Sequence, residues 1–112
     1  MTDTRNLSSR IFAWLDALQA DFDRQYPNSA QGISFTCEAP RKGQKYVRIV
    51  QADRDGRARS VHAFYDQRTG DVYKAAGWKA PAKHVRFNLL DDESFATLIA
   101  TCDWSGGYLY IR

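Results

Sequence analysis

Ile11, Leu15, Leu18, Phe22 and Tyr26 recur at spacings of four, three, four and four. At 3.6 residues per turn they form one stripe, the signature of an amphipathic helix with a buried face. Trp14 falls at the edge of that stripe, beside Leu18. Ser8 or Ser9 is placed to cap the start, and Pro27-Asn28 to end the helix.

The period then changes from helical to two. Ile33, Phe35, Cys37 and Ala39 alternate with Ser34, Thr36 and Glu38. Pro40-Arg41-Lys42-Gly43 turns the chain into Tyr46–Val50, and Asp53-Arg54-Asp55-Gly56 turns it into Arg59–Tyr65. Asp66-Gln67-Arg68-Thr69-Gly70 leads into a fourth strand, Asp71–Ala75. Short strands joined by tight polar turns predict an antiparallel meander. In the third strand His62 alternates with Val61 and Ala63, which places it on the face of Phe64 as a half-buried structural histidine.

Asp91 or Asp92 caps a second helix, with Glu93 adding favourable charge at its start. Phe95, Leu98, Ile99 and Cys102 share its apolar face, Gly106-Gly107 breaks it, and Tyr108–Arg112 reads as a last strand. The expectation is a single α+β domain over residues 1–112, in the order α-β-β-β-β-α-β. About five antiparallel strands would be covered on one face by two helices.

Composition agrees with one folded unit. The chain has 112 residues, 44% hydrophobic and 13% aromatic, enough for a core without metal or disulfide. Cys37 and Cys102 lie far apart without metal-ligand spacing and read as buried free thiols. No apolar run approaches the ~20 residues of a membrane span, and no signal peptide is present. The reading is a soluble, cytoplasmic protein with no membrane partner.

The net charge of +3 is mild, so its distribution matters more. Residues 41–59 hold Arg41, Lys42, Lys45, Arg48, Arg54, Arg57 and Arg59 against Asp53 and Asp55, while acids gather in the two helices. Between Asp71 and Asp91 there is no acid at all, yet Lys74, Lys79, Lys83 and Arg86 are threaded with Trp78, Pro81, His84 and Phe87. Lysine, arginine and asparagine supply phosphate donors, and an exposed tryptophan supplies a stacking plane. The candidate ligand-binding residues are therefore Lys74, Trp78, Lys79, Lys83, His84, Arg86 and Asn88, with Arg48 and Arg59 from the strands. The alternative makes Trp78 and Phe87 core plugs and leaves the lysines simply solvated.

Enzyme templates are missing: no Gly-rich phosphate loop, no Cys-x-x-Cys, no His-x-x-x-His. The remaining nucleophile–base option is Cys37 or Cys102 with His84, which nothing local supports. The expectation is a non-enzyme with no cofactor and no metal.

Asp66…Thr69-Gly70-Asp71-Val72-Tyr73-Lys74-Ala75-Ala76-Gly77-Trp78-Lys79-Ala80-Pro81-Ala82-Lys83, followed by Arg86 and Asn88, resembles a family of small proteins encoded by bacteriophages and prophages. Their pattern runs Thr-Gly-Asp into Lys-Ala-x-x-Trp-Lys-x-Pro-Ala-Lys-x-x-Arg-Gly-Asn, over about residues 61–90 here; this chain has Phe87 at the glycine position. The resemblance implies a phage-type accessory protein and assigns no activity. Two readings follow: binding of nucleic acid or a nucleotide through the basic loop, or a protein–protein effector that docks on a host enzyme or defence system.

Overall fold

A computed structural model describes residues 4–27, 32–53 and 56–110. The first helix, α1 (Thr4–Gln25), begins earlier than the serines suggested. Leu7 extends the apolar stripe by a turn, and Ser8 and Ser9 lie exposed within the helix rather than capping it. The inner face consists of Leu7, Ile11, Trp14, Leu15, Leu18 and Phe22, all buried. Trp14 sits at its centre, fully enclosed, and Tyr26 is exposed. Asn28 lies outside the described residues.

Five strands follow: β1 (Ile33–Cys37), β2 (Tyr46–Asp53), β3 (Ala58–Asp66), β4 (Asp71–Lys74) and β5 (Phe87–Asn88). They pair in sequence order, each antiparallel to the next. The expected meander is present, although Arg54 and Asp55 of the β2–β3 turn fall outside the described residues. The β3–β4 turn is closed by Asp66, whose carboxylate accepts from the backbone N–H of Arg68 at 2.8 Å. Gly70, at φ 80°, completes that turn.

Val47, Ile49, Ala63, Tyr65 and Val72 project from the sheet into the same core as the α1 stripe. His62 departs from simple alternation. The register steps from Ile49↔Ala63 to Val50↔Val61, leaving His62 as an extra residue in β3. The bulge turns His62 away from Phe64 and against Phe35, ring centroids 5.4 Å apart.

The second helix, α2 (Asp92–Thr101), is capped by Asp91, whose carboxylate accepts from the N–H of Ser94. Leu98 is buried, with Phe95, Ile99 and Cys102 packed at the edge of the same core. Arg10 ties the two helices: it donates to the Leu89 carbonyl at 2.9 Å and pairs with Asp92. Both helices cover one face of the sheet.

The fifth strand is not the C-terminal segment. Phe87–Asn88 fills the β4 edge, giving the order α-β-β-β-β-β-α. Gly107–Leu109 instead forms a short 3-10 turn. The Asp103 carboxylate draws in the N–H groups of Gly106 and Gly107, at 2.8 and 3.2 Å. Tyr108 is then held by its hydroxyl, which accepts from Trp14 Nε1 at 2.9 Å and meets His62 Nε2 at 2.7 Å. Residues 111 and 112 of the expected strand lie outside the described residues.

Candidate ligand-binding face

The segment after β4 is a pinned hairpin rather than a free loop. Ala75 bridges Pro81. Ala76 N–H donates to the Ala80 carbonyl at 3.1 Å, and Ala82 N–H to the Lys74 carbonyl at 2.7 Å. Trp78 lies at the tip with 48% of its surface exposed. Lys79, Lys83 and His84 are exposed beyond it. Trp78 is therefore not a core plug. Phe87 is one: it packs on the core and lies 6.0 Å from the Tyr108 ring.

Arg48 fixes where that tip rests. It stands on the face of β2 away from the helices, its guanidinium 5.7 Å above the Phe64 ring. Its Nε donates to the Trp78 carbonyl, and its Nη1 to Glu38 at 3.1 Å. The hairpin tip is thus drawn over the helix-free face of the sheet, where Tyr46 and Tyr73 also meet edge-to-face at 5.5 Å. Among the described residues no helix lies on that side.

The other expected site residues divide. Arg86 binds the backbone: Nε donates to the Leu109 carbonyl at 2.6 Å and Nη1 to the carbonyls of Lys83 and His84. This clasp accompanies the left-handed backbone of His84, φ 75°. Asn88 is saturated. Its amide donates to Thr69 and Asp71 and accepts from the N–H groups of Leu90 and Asp91. Lys74 turns toward the helix side, its ammonium 4.7 Å from the Tyr110 ring. Arg59 pairs with Asp53 at 3.2 Å. The structure brings together Trp78, Lys79 and Arg48, and gives Arg86 and Asn88 supporting roles.

A second basic feature went unassigned in the sequence. Arg41, Lys42, Lys45 and Arg68 line a cleft of about 530 Å³ between the β1–β2 and β3–β4 turns. Gln67 locks its walls by donating to the carbonyls of Arg41 and Gln44. The basic run at 41–45 was visible, but the glutamine clamp joins residues more than twenty positions apart and had no local signal.

Among the described residues, the cysteines and histidines make separate contacts. Burial pushes the Cys102 thiol up to about 11 and raises that of Cys37. Cys37 contacts the Tyr65 hydroxyl, Cys102 the Ile99 carbonyl, and neither has His84 as a hydrogen-bond partner. Burial lowers His62 to about 4, against a weaker opposing pull from Asp103. Among the described residues no group of three His, Cys, Asp or Glu side chains could hold a metal, and no helix is long and apolar enough to cross a membrane.

A five-stranded antiparallel meander, backed by two helices and bearing an aromatic, cationic hairpin on its other face, defines the molecule as an α+β domain. The chain belongs to DUF7717, a family of unknown function, whose sequence profile matches residues 2–111. No curated protein and no solved structure matches it.

Proposed function

We propose that this protein is a non-enzymatic, phage-type accessory protein of the host cytoplasm that binds single-stranded nucleic acid on the helix-free face of its sheet. The observation that carries this reading is the half-exposed Trp78 at the tip of a hairpin pinned by Arg48. A pinned indole loses little freedom when a base stacks on it, and every base has a face to offer. Lys79 and Lys83 supply exposed cations along one side, and the Arg41–Lys45 cleft supplies more at the end of the sheet. Nucleotides share the same chemistry but use less of this surface.

Fluorescence anisotropy with a labelled oligothymidine tests it. Trp78→Ala loses about 1–3 kcal/mol of affinity and keeps a near-native melting temperature, because the side chain is not core. Lys79→Ala and Lys83→Ala weaken binding with folding stability changed by no more than ~0.5 kcal/mol. Wild-type protein that ignores the oligonucleotide at low salt would sink the reading. The protein-effector alternative rests on a different surface, the groove beside β1.

A further inference from the structure

The free edge of β1 is closed at one end and open at the other. Gln19 reaches from α1 to that edge, donating to the Ile33 carbonyl at 2.7 Å and accepting from the Phe35 N–H at 3.2 Å. It thereby occupies the backbone positions a sixth strand would use, a common protection for edge strands. Glu38 N–H pairs inward with the Arg48 carbonyl. Antiparallel alternation therefore turns the Phe35 carbonyl and the N–H and carbonyl of Cys37 outward. No side chain like Gln19 covers them among the described residues.

Beneath this open half lies a groove of about 440 Å³, floored by Ile11, Leu15, Phe35, Cys37 and Tyr65. Phe12 stands on its rim with 66% of its surface exposed. Asp16 and Glu38 also line it and no lysine or arginine does, but the Glu38 carboxylate is paired with Arg48, which leaves Asp16 as the groove's own charge. On a chain of net charge +3, this is an apolar place with one carboxylate, Asp16, in its wall. Along α1, residues 12, 16 and 19 follow one another down the side that faces the edge. A phenylalanine and an aspartate leave the edge open where a glutamine closes it.

We propose that an extended segment of a partner protein, carrying an apolar and a basic residue two positions apart, adds as a strand to β1 at Phe35–Cys37. The apolar side chain fills the groove against Phe12, and the basic one, on the same face of the added strand, meets Asp16. Strand addition supplies affinity through main-chain bonds and specificity through alternate side chains. The surface lies on the helix side of β1, separate from the Trp78 hairpin, so it is independent of nucleic-acid binding.

The test selects a random peptide library displayed on yeast against the wild-type protein, with counterselection on Phe12→Ser. Phe12 is exposed, so this variant folds. Enriched peptides should place an apolar and a basic residue two positions apart and perturb the amide resonances of residues 35–39. Their affinity should fall about tenfold on Phe12→Ser, fall also on Asp16→Lys, and vanish when a central proline is introduced into the peptide. No enrichment, binding that ignores Phe12→Ser, or resonance changes confined to the Trp78 hairpin would overturn the proposal. A concentration-dependent dimer abolished by Phe12→Ser in the absence of peptide would also overturn it, assigning the edge to a second copy.

Discussion

Arg86 and Lys79 carry the same charge in one segment, and their contacts make them different residues. The Arg86 fork reaches three carbonyls on two segments, Leu109 on one side and Lys83 and His84 on the other. Lys79 is simply exposed. Arg86→Ala is therefore expected to destabilise the fold by about 1–3 kcal/mol, by leaving carbonyls without their charged donor, and Arg86→Lys to restore only part of it because an ammonium lacks the planar fork. Urea unfolding of both variants measures this; wild-type stability in Arg86→Ala would return the residue to the ligand site. His62 makes a second case. Its folded pKa of about 4 lies below its ordinary 6.5, so the unfolded chain binds the extra proton between those values. Its contribution is complete above pH 6.5 and is lost as pH falls toward 4, on the order of 3 kcal/mol. With neutral Nε2 accepting, the Tyr108 hydroxyl accepts from Trp14 and donates to His62. Melting temperatures at pH 7, 6, 5 and 4 should fall in wild type and flatten in His62→Gln across that range.

Turns and strand ends decide what a periodic pattern can and cannot reveal about the elements. Gly70 closes the β3–β4 turn at φ 80°, and a Cβ there would lie 2.9 Å from Leu90 Cγ. Gly70→Ala should cost about 1–2 kcal/mol in a denaturation experiment, whereas an unchanged midpoint would mean the turn relaxes freely. That turn, the α1 stripe, the meander and the Asp91 cap were all readable from spacing, because each is a local repeat or a local hydrogen bond. The fifth strand was not: Phe87–Asn88 is two residues long and carries no period. Tyr108–Ile111 does alternate, but the long-range bonds of Tyr108 to Trp14 and His62 outweigh that propensity. The His62 bulge escaped for the same reason, since one inserted residue inverts the inferred face. In the candidate site, Trp78, Lys79 and Lys83 were legible as a basic cluster around an aromatic, while the exposure of Trp78 followed only from the hairpin. The structural roles of Arg48, Arg86 and Asn88 depend on partners that only folding brings near.

On the scale of the whole molecule, the helices and the cations take opposite sides of the work. The core under α1 and α2 holds the fold, while the Trp78 hairpin and the Arg41–Lys45 cleft stand on the rest of the sheet, within a molecule 43 Å in its longest dimension. If one strand of nucleic acid uses both, the two cation groups should behave as a single electrostatic surface only for ligands long enough to reach both. Each phosphate contact removed lowers the slope of log affinity against log salt by about 0.7 for single strands. Lys79→Ala and Lys42→Ala should therefore each flatten the slope for a long oligothymidine, and the double variant should flatten it by the sum. With an oligonucleotide of about three residues, only one of the two substitutions should matter. Melting temperatures should stay level throughout, since neither lysine supports the core. Titrations at several salt concentrations, run for both lengths, decide the matter: equal slopes in all variants would remove phosphate from the face, and sensitivity to Lys79 alone at both lengths would confine the ligand to the hairpin.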